Sequence, residues 1–200
     1  MLVRGINNLS DARYCAGMGA DGLIFTLDPS LPGAVSPELV RELAGWVSGV
    51  ELIGEFGPMP SEAINALVAE CALSRVLVSF PTEGQPLQPL SVPALAEVIQ
   101  VAVLDETYRE RTATQAHSSF PFGYEFTTRV PADPRTAALF TLAARRFPLW
   151  LSGTISPVLV REIAETIQPA GLILTGGDEI KPGLRDFTEL EAIFEALEAE

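Results

Sequence analysis

The segment Trp150–Pro157, WLSGTISP, contains one complete junction between a strand and a helix. An apolar strand ends at Leu151, a turn of small residues follows, and Ser156 and Pro157 supply a capping serine and a proline at the first helical position. The same order repeats along the chain. Eight apolar runs with little polar alternation predict parallel strands that are covered on both faces: Leu2–Gly5, Gly22–Leu27, Val50–Phe56, Arg75–Val78, Val98–Leu104, Phe120–Phe126, Pro148–Leu151 and Gly171–Leu174.

Amphipathic segments that begin with recognisable caps separate these strands. Ser36-Pro37 and Asp133-Pro134 repeat the arrangement of Ser156-Pro157. Eight strands alternating with helices in 200 residues predict a (β/α)8 TIM barrel, as one domain over residues 1–200. An open, doubly wound sheet also fits the alternation, but eight strands favour a closed barrel. Apolar faces are predicted on the second helix (Leu39, Val40, Leu43, Trp46 and Val47) and on the last helix (Leu190, Ile193, Phe194 and Leu197).

One stretch departs from this pattern. Between Phe80 and Pro93 the chain has prolines at positions 81, 86, 89 and 93, together with Gly84. Prolines at this density disfavour a regular helix, because each lacks the backbone N–H donor and its ring clashes with the preceding turn. We therefore expect the fourth helix to be irregular, short or missing.

The composition excludes several classes of protein. Apolar residues make up 48% of the chain and charged residues 20%, which provides for a large core. No apolar run reaches the roughly 20 residues of a membrane span, and the N-terminus lacks a signal-peptide layout, so we expect a cytoplasmic protein. A net charge of −13 argues against a nucleic-acid partner. Two cysteines and one histidine provide neither a disulfide framework nor a histidine metal site, and no cofactor is predicted.

Two turns of small residues follow the seventh and eighth predicted strands. Glycines let backbone N–H groups approach an anion closely, and the loops after strands seven and eight of such barrels commonly hold a phosphate. Each glycine alone could simply turn a corner, but the paired placement predicts a phosphate site. A small phosphorylated ligand is the expected partner, bound to a monomer or a homodimer. The predicted phosphate-binding residues are Ser152, Gly153, Thr154, Thr175, Gly176 and Gly177.

Sequence patterns at both ends of the chain point to one known family. They are VRGINNLSDA at Val3–Ala12, GADG at Gly19–Gly22, VSPE at Val35–Glu38, LSG at Leu151–Gly153, ISP at Ile155–Pro157, GGDE at Gly176–Glu179 and PGLRD at Pro182–Asp186. In these segments the chain resembles phosphoribosylanthranilate isomerases. The resemblance implies a (β/α)8 barrel that catalyses an Amadori rearrangement in tryptophan biosynthesis, in which the ring-opened ribose of phosphoribosylanthranilate becomes a 1-deoxyribulose.

The catalytic residues that the resemblance implies carry over only in part. The family has a cysteine base at the end of strand one, where this chain has Arg4. A guanidinium with a pKa above about 12 cannot accept a proton at neutral pH. The family's general acid, an aspartate that ends strand six, aligns with Glu125, and its arginine for the anthranilate carboxylate aligns with Gly33. Ile173 stands where the family has an aspartate on strand eight. The resemblance therefore implies a retained phosphate site and an altered catalytic site.

Carboxylates near predicted strand ends provide another source of acid–base groups. Asp28, Glu55, Asp105 and Glu125 are placed to ring the mouth of the barrel. Glu55 interrupts an apolar run and needs a partner, for which Arg4 is the obvious choice. A structural ion pair of Arg4 with Glu55 or Glu125 is one interpretation. In the other, Arg4, Glu55 and Glu125 are catalytic, since neighbouring carboxylates can have their pKa values pushed apart.

Three functions remain open on the sequence. The first is a phosphoribosylanthranilate isomerase-like protein that binds a phosphorylated sugar derivative and has weak or no isomerase activity. The second is a non-catalytic barrel that retained phosphate binding and acts as a sensor or partner protein. The third is another phosphosugar isomerase or epimerase that uses the rim carboxylates. Cys15 and Cys71 are predicted to be small core residues rather than nucleophiles.

Overall fold

Eight parallel strands form a closed barrel in the computed structural model of the chain. The structure describes residues 1–79, 97–102, 122–129, 134–177, 179–181 and 184–198, with all their side chains except those of residues 97–102, 122–129, 134–136, 179, 181 and 184. Each strand pairs with the next in the chain, and the eighth closes on the first, which confirms the predicted (β/α)8 fold. The strands are β1 (Leu2–Arg4), β2 (Gly22–Thr26), β3 (Glu51–Phe56), β4 (Arg75–Ser79), β5 (Glu97–Ala102), β6 (Phe122–Arg129), β7 (Leu149–Thr154) and β8 (Gly171–Thr175).

The helices alternate with these strands. A further antiparallel pair, β9 (Glu179–Lys181) and β10 (Leu184–Arg185), follows β8. Within the described ranges, no helix is long and apolar enough to cross a membrane. The predicted irregularity of the fourth helix falls on residues outside those ranges. Numbered in chain order, the described helices are α1 (Leu9–Gly17), α2 (Pro37–Ala44), α3 (Ser61–Cys71), α4 (Pro134–Ala144), α5 (Val160–Thr166) and α6 (Thr188–Glu198).

Helix α2 begins where the sequence predicts it and ends earlier. The side chain of Ser36 accepts a hydrogen bond from the N–H of Leu39 at 3.3 Å, which caps the first turn. The helix ends at Ala44, and the chain leaves it at Gly45. Trp46 therefore lies beyond the helix and is 62% exposed. The prediction that Trp46 extends the apolar face of α2 is wrong.

Helix α5 begins one turn later than predicted. After Ser156, the N–H groups of Leu159 and Val160 both donate to the Ser156 carbonyl at 3.0 Å. Residues 157–159 are consequently a turn, and the helix starts at Val160 without a side-chain cap. The serine and proline mark the turn that precedes the helix, so the prediction of a helix starting at Pro157 is wrong.

The barrel has an outer and an inner apolar core, because consecutive side chains of a strand point to opposite faces. Strand residues such as Val3 and Phe25 pack with apolar side chains of the helices, including the predicted Leu190, Ile193 and Phe194 of α6. Burying a side chain of this size contributes about 1.5–3 kcal/mol. The alternate strand positions form the inner core, in which every member is at most 7% exposed: Leu2, Ile24, Ile53, Leu77, Trp150 and Ile173.

Trp150 fills the amino-terminal end of the barrel interior. A Cβ atom at Gly171, the first residue of β8, would lie 2.3 Å from Cζ3 of Trp150, so a glycine is needed beside the ring. From β4, the guanidinium carbon of Arg75 lies 5.2 Å from the centroid of the Trp150 ring, within cation–π range. Nη2 of Arg75 lies 3.2 Å from Oε2 of Glu51. These contacts leave the opposite end of the barrel as the place for a site.

Candidate functional site

Polar side chains line the barrel interior at the carboxyl end of the strands. Each stands two residues after a member of the inner core, and it therefore faces the interior one step nearer the carboxyl end. Barrels of this architecture have their sites at this end. Among the side chains that the structure describes, this set comprises Arg4, Thr26, Glu55, Ser79, Ser152 and Thr175.

Arg4 and Glu55 form an ion pair at the mouth of the barrel, as one interpretation of the sequence predicts. Nε of Arg4 lies 2.9 Å from Oε1 of Glu55, and the hydroxyl of Thr26 donates to Oε2 of Glu55 at 2.9 Å. The Arg4 and Glu55 side chains are 22% and 14% exposed. Charges withdrawn from water to this extent need charged or polar partners, and each carboxylate oxygen has one: the Arg4 guanidinium at Oε1 and the Thr26 hydroxyl at Oε2.

Asp28 joins the loops that follow β2 and β3. Its Oδ1 accepts hydrogen bonds from the hydroxyl and the N–H of Ser30 at 2.7 and 2.8 Å, and its Oδ2 accepts one from the N–H of Gly57 at 3.0 Å. These hydrogen bonds, those from Ser30 first, hold the pKa of Asp28 below its ordinary value. A carboxylate stabilised in this way is a poor proton acceptor at neutral pH, so Asp28 has a structural role.

The predicted phosphate residues lie at the ends of the neighbouring strands β7 and β8. Ser152, Gly153 and Thr154 are the last residues of β7, rather than a separate turn. Ser152 is buried, whereas Gly153, Thr154 and Thr175 are exposed. Gly153 has a φ of 109°, a conformation that glycine adopts readily. Thr175 is in register with Arg4 of β1, so this region adjoins the Arg4–Glu55 pair.

Gly176 and Gly177 lie directly against residues 185–187, the segment that leads into α6. A Cβ atom at Gly176 would lie 2.8 Å from Cε1 of Phe187, and one at Gly177 would lie 2.5 Å from the carbonyl oxygen of Asp186. The N–H of Gly177 donates to that same carbonyl at 2.9 Å. Both positions thus need glycine for this close packing, and an anion in the loop would have to use donors other than the Gly177 N–H.

The three positions that the family resemblance singles out on β6, after β2 and on β8 lie in different surroundings. Glu125 is the fourth of the eight residues of β6, which continues to Arg129, so the prediction that it ends this strand is wrong. It lies opposite Val101 of β5 and Trp150 of β7, and its side chain is not among those described. Gly33 is exposed in the loop after β2, with a φ of 75°. Ile173 is 1% exposed and belongs to the inner core, so it supplies no polar group. Asp105 lies outside the described ranges.

Neither cysteine supplies a base at the mouth. Cys15 of α1 and Cys71 of α3 are buried in the outer core, as predicted. Burial raises the pKa of Cys15 to about 12 and also raises that of Cys71, so both thiols stay protonated at neutral pH. Within the part of the chain that the structure describes, no group of three or more His, Cys, Asp or Glu residues is arranged to hold a metal ion.

Sequence reasoning missed two members of the polar set, Thr26 and Ser79. Thr26 lies inside the predicted run Gly22–Leu27 and Ser79 directly follows the predicted run Arg75–Val78, and a single small polar residue in either place attracts no functional interpretation. A usable signal was present: each stands two residues after a core residue of its own strand, Ile24 or Leu77. Period-two counting from the inner core would have placed both side chains at the mouth.

Comparisons with known proteins agree on one family. The chain is 30% identical over 192 residues to the N-(5'-phosphoribosyl)anthranilate isomerase of Geobacter sulfurreducens, covering 91% of this chain and 90% of the relative. It resembles the solved phosphoribosylanthranilate isomerase of Thermus thermophilus with a TM-score of 0.77 and 27% identity, over 98% of this chain and 96% of that one. No protein-family model matches the chain.

A third likeness adds a ligand-bound relative of the same fold. It is a phosphoribosylanthranilate isomerase solved in complex with reduced 1-(o-carboxyphenylamino)-1-deoxyribulose 5-phosphate. The TM-score is 0.76 at 23% identity, covering 98% of this chain and 96% of that one. At this identity the likeness shows the shared barrel, and the ligand is a property of the relative.

Proposed function

Since the chain belongs to the phosphoribosylanthranilate isomerase family, we propose that it binds a phosphorylated sugar derivative at the carboxyl end of the barrel and catalyses the Amadori rearrangement weakly or not at all. One observation carries this proposal. At the end of β1, where the family resemblance implies a cysteine base, Arg4 is paired with Glu55 at 2.9 Å. The residue at the end of β1 is thus an arginine whose positive charge is balanced by Glu55.

The replacement of the family's cysteine base by Arg4 at the end of β1 supports low isomerase activity. The Arg4 guanidinium is permanently protonated at neutral pH. Cys15 and Cys71 are buried thiols with raised pKa values, so neither supports the role of a proton acceptor that the family gives its cysteine. A general base typically contributes about 10²–10⁴ in rate, so a chain without one loses turnover by that order even when its substrate binds.

Retained phosphate binding is supported by the ends of β7 and β8. These strands are neighbours in the barrel, and exposed residues end both of them. Gly153 and Gly176 add no side chain there, so an anion can approach the backbone closely. In this proposal Ser152, Gly153, Thr154, Thr175 and Gly176 surround the phosphate, and Gly177 shapes the loop.

A second candidate function is a barrel that binds its phosphorylated ligand without any turnover, as a sensor or partner protein. The hydrogen bonds and ion pair of Glu55 and Asp28, the two rim carboxylates whose side chains the structure describes, favour it over a different phosphosugar isomerase. Glu55 is bound by Arg4 and Thr26, and Asp28 accepts three hydrogen bonds. A general base acts best with a pKa near the operating pH and with a free lone pair facing the substrate.

An assay with phosphoribosylanthranilate tests the proposal. The purified chain and the Geobacter sulfurreducens relative are measured under the same conditions, and both genes are introduced into a tryptophan-requiring strain that lacks the isomerase. We expect turnover at least about 100-fold below that of the relative and no restored growth. Turnover equal to that of the relative would overturn the altered-chemistry proposal.

Ligand binding is measured separately from turnover. Calorimetric titration with the reduced product analogue, and NMR titration with inorganic phosphate, should both show binding. The amides of Gly153 and Gly176 should shift, because they lie at the two strand ends. Binding without turnover would favour the second candidate function. The absence of shifts at both glycines would rule out the proposed phosphate site.

A further inference from the structure

We infer that Asp11 and Tyr14 of α1 are positioning residues for the ligand loop Thr175–Gly177, although both lie on a helix that follows a different strand. They act through residues 185–187, which contact α1 on one side and the loop on the other. The inference rests on the proposed function, because it assigns a role in that same site.

The first contact is an ion pair. Oδ2 of Asp11 lies 3.2 Å from Nε of Arg185, the last residue of β10. Asp11 is only 2% exposed and the Arg185 side chain is 22% exposed, so the pair is mostly withdrawn from water. A buried charge pair of this kind is costly to separate, and it therefore fixes Arg185 against α1. A Cβ atom at Gly5, directly after Arg4, would lie 3.7 Å from Nη1 of Arg185.

The second contact is a pair of stacked rings. The rings of Tyr14 and Phe187 have centroids 4.8 Å apart and planes inclined by 24°. Offset stacks of this kind contribute about as much as a good hydrogen bond and hold both rings in one orientation. Tyr14 thus holds Phe187 in place, as Asp11 holds Arg185. The two residues that are held, Arg185 and Phe187, are two positions apart on the same segment.

The segment in turn shapes the ligand loop. The Phe187 ring occupies the space beside Gly176, where a Cβ atom would be 2.8 Å from the ring edge. The carbonyl of Asp186, between the two anchored residues, accepts the N–H of Gly177 at 2.9 Å. The position of the loop at the end of β8 is therefore set by a chain of contacts that begins on α1.

Charge explains why these residues act indirectly. Asp11 is an anion and would repel a phosphate if it faced one, but its charge is balanced by Arg185. Tyr14 is engaged through its ring. Neither needs to touch the ligand, so their removal should change affinity by displacing the loop while leaving the barrel folded.

The test uses the full chain with two readouts, amide hydrogen exchange at Gly177 and the dissociation constant for inorganic phosphate by NMR. The variants are Asp11→Asn, Arg185→Gln and Tyr14→Leu, with Tyr14→Phe as the conservative variant that keeps the ring stack. Arg75→Gln is the matched control, because it breaks the ion pair with Glu51 at the opposite end of the barrel. We expect Gly177 to exchange about 10-fold faster and phosphate to bind about 5-fold more weakly in the first three variants. Tyr14→Phe and Arg75→Gln should stay within about 2-fold of the natural protein in both readouts.

The outcomes separate this inference from the proposed function. If the natural protein binds no phosphate but the three variants lose protection at Gly177, the proposed phosphate site fails and the positioning role stands. Unchanged protection at Gly177 in Arg185→Gln and Tyr14→Leu would overturn the positioning role, whatever the affinity does. If Asp11→Asn does not fold, those two partly exposed positions still decide the result.

Discussion

Arg4 and Glu55 meet over β2, the strand that separates theirs in the barrel. β1 pairs with β2 and β2 pairs with β3, and the hydroxyl of Thr26 on β2 binds the second oxygen of the same carboxylate. Three neighbouring strands are thereby tied together at the mouth by one carboxylate. Replacing either charged partner changes both the stability of this end and the chemistry available in it.

The variant Arg4→Cys supplies a thiol at the end of β1. We expect it to turn over phosphoribosylanthranilate at a low but measurable rate above that of the natural protein. The thiolate form of cysteine can accept a proton, whereas Gly33 still provides no arginine for the anthranilate carboxylate. Steady-state turnover is the measurement. Arg4→Ser is the control, since it loses the same ion pair without gaining a thiol, and it should stay at the natural rate. Robust turnover by the natural protein would contradict the expectation.

Adding Gly33→Arg to Arg4→Cys should lower the KM for phosphoribosylanthranilate, because a guanidinium would then be present for the anthranilate carboxylate. The φ of 75° at this position should cost about 1–2 kcal/mol of unfolding free energy for any side chain. A Cβ atom there meets nothing within 4 Å, so no clash adds to that cost. Gly33→Ala in the same background has the backbone cost alone. An equal KM for the arginine and alanine variants would disprove the expected contact.

The stability contributed by Asp28 should depend on pH. Its pKa is lowered in the folded chain by hydrogen bonds from Ser30 and Gly57, so its contribution is present above the unfolded pKa of about 3.9 and is lost as the pH falls through the lower folded value. We expect Asp28→Asn to lose about 1 kcal/mol of unfolding free energy at pH 7 and close to nothing in strong acid.

Urea unfolding at a series of pH values measures this difference. Glu165→Gln, which removes an exposed carboxylate of α5, is the matched control and should change the unfolding free energy little at any pH. A destabilisation by Asp28→Asn that is the same at pH 7 and in strong acid would show that the charge of Asp28 is not what matters.

Gly171→Ala should destabilise the barrel by about 1–3 kcal/mol, because the new methyl group would overlap the Trp150 ring at 2.3 Å. The urea midpoint reports the change. Gly17→Ala is the control, since a Cβ atom there meets nothing within 4 Å, and it should be neutral or slightly stabilising. Adding Trp150→Leu should relieve part of the strain of Gly171→Ala. A Gly171→Ala variant as stable as Gly17→Ala would contradict the packing described for this end.

The fold could be predicted because its signals are local. Apolar runs without polar alternation predict strands covered on both faces, and all eight form the barrel. The ends of elements were predicted less well. A serine followed by proline begins α2 at Ser36, whereas at Ser156 the carbonyl takes two N–H donors and a turn intervenes. The capping residues alone do not distinguish these two outcomes.

The site could be predicted where a residue conflicts with its surroundings. Glu55 in an apolar run predicts a charged partner, and Arg4 is that partner. Thr26 creates no such conflict and was missed. The close packing of Phe187 against Gly176 was likewise not predicted. Neither the Thr26 hydrogen bond nor the Phe187 contact changes the apolar pattern of its segment, so neither could be predicted from that pattern.

The packing at the amino-terminal end of the barrel and the polar groups at its mouth can change separately during evolution. Trp150, Gly171 and Arg75 pack together at the amino-terminal end, whereas Arg4, Thr26 and Glu55 contact one another at the mouth, two residues beyond the inner core on their strands. Effects of substitutions at well-separated sites are usually additive. A protein with this arrangement can have a cysteine replaced by an arginine at the mouth while the rest of the barrel stays folded. We therefore expect substitutions at the mouth to change its chemistry with little effect on the packing around Trp150.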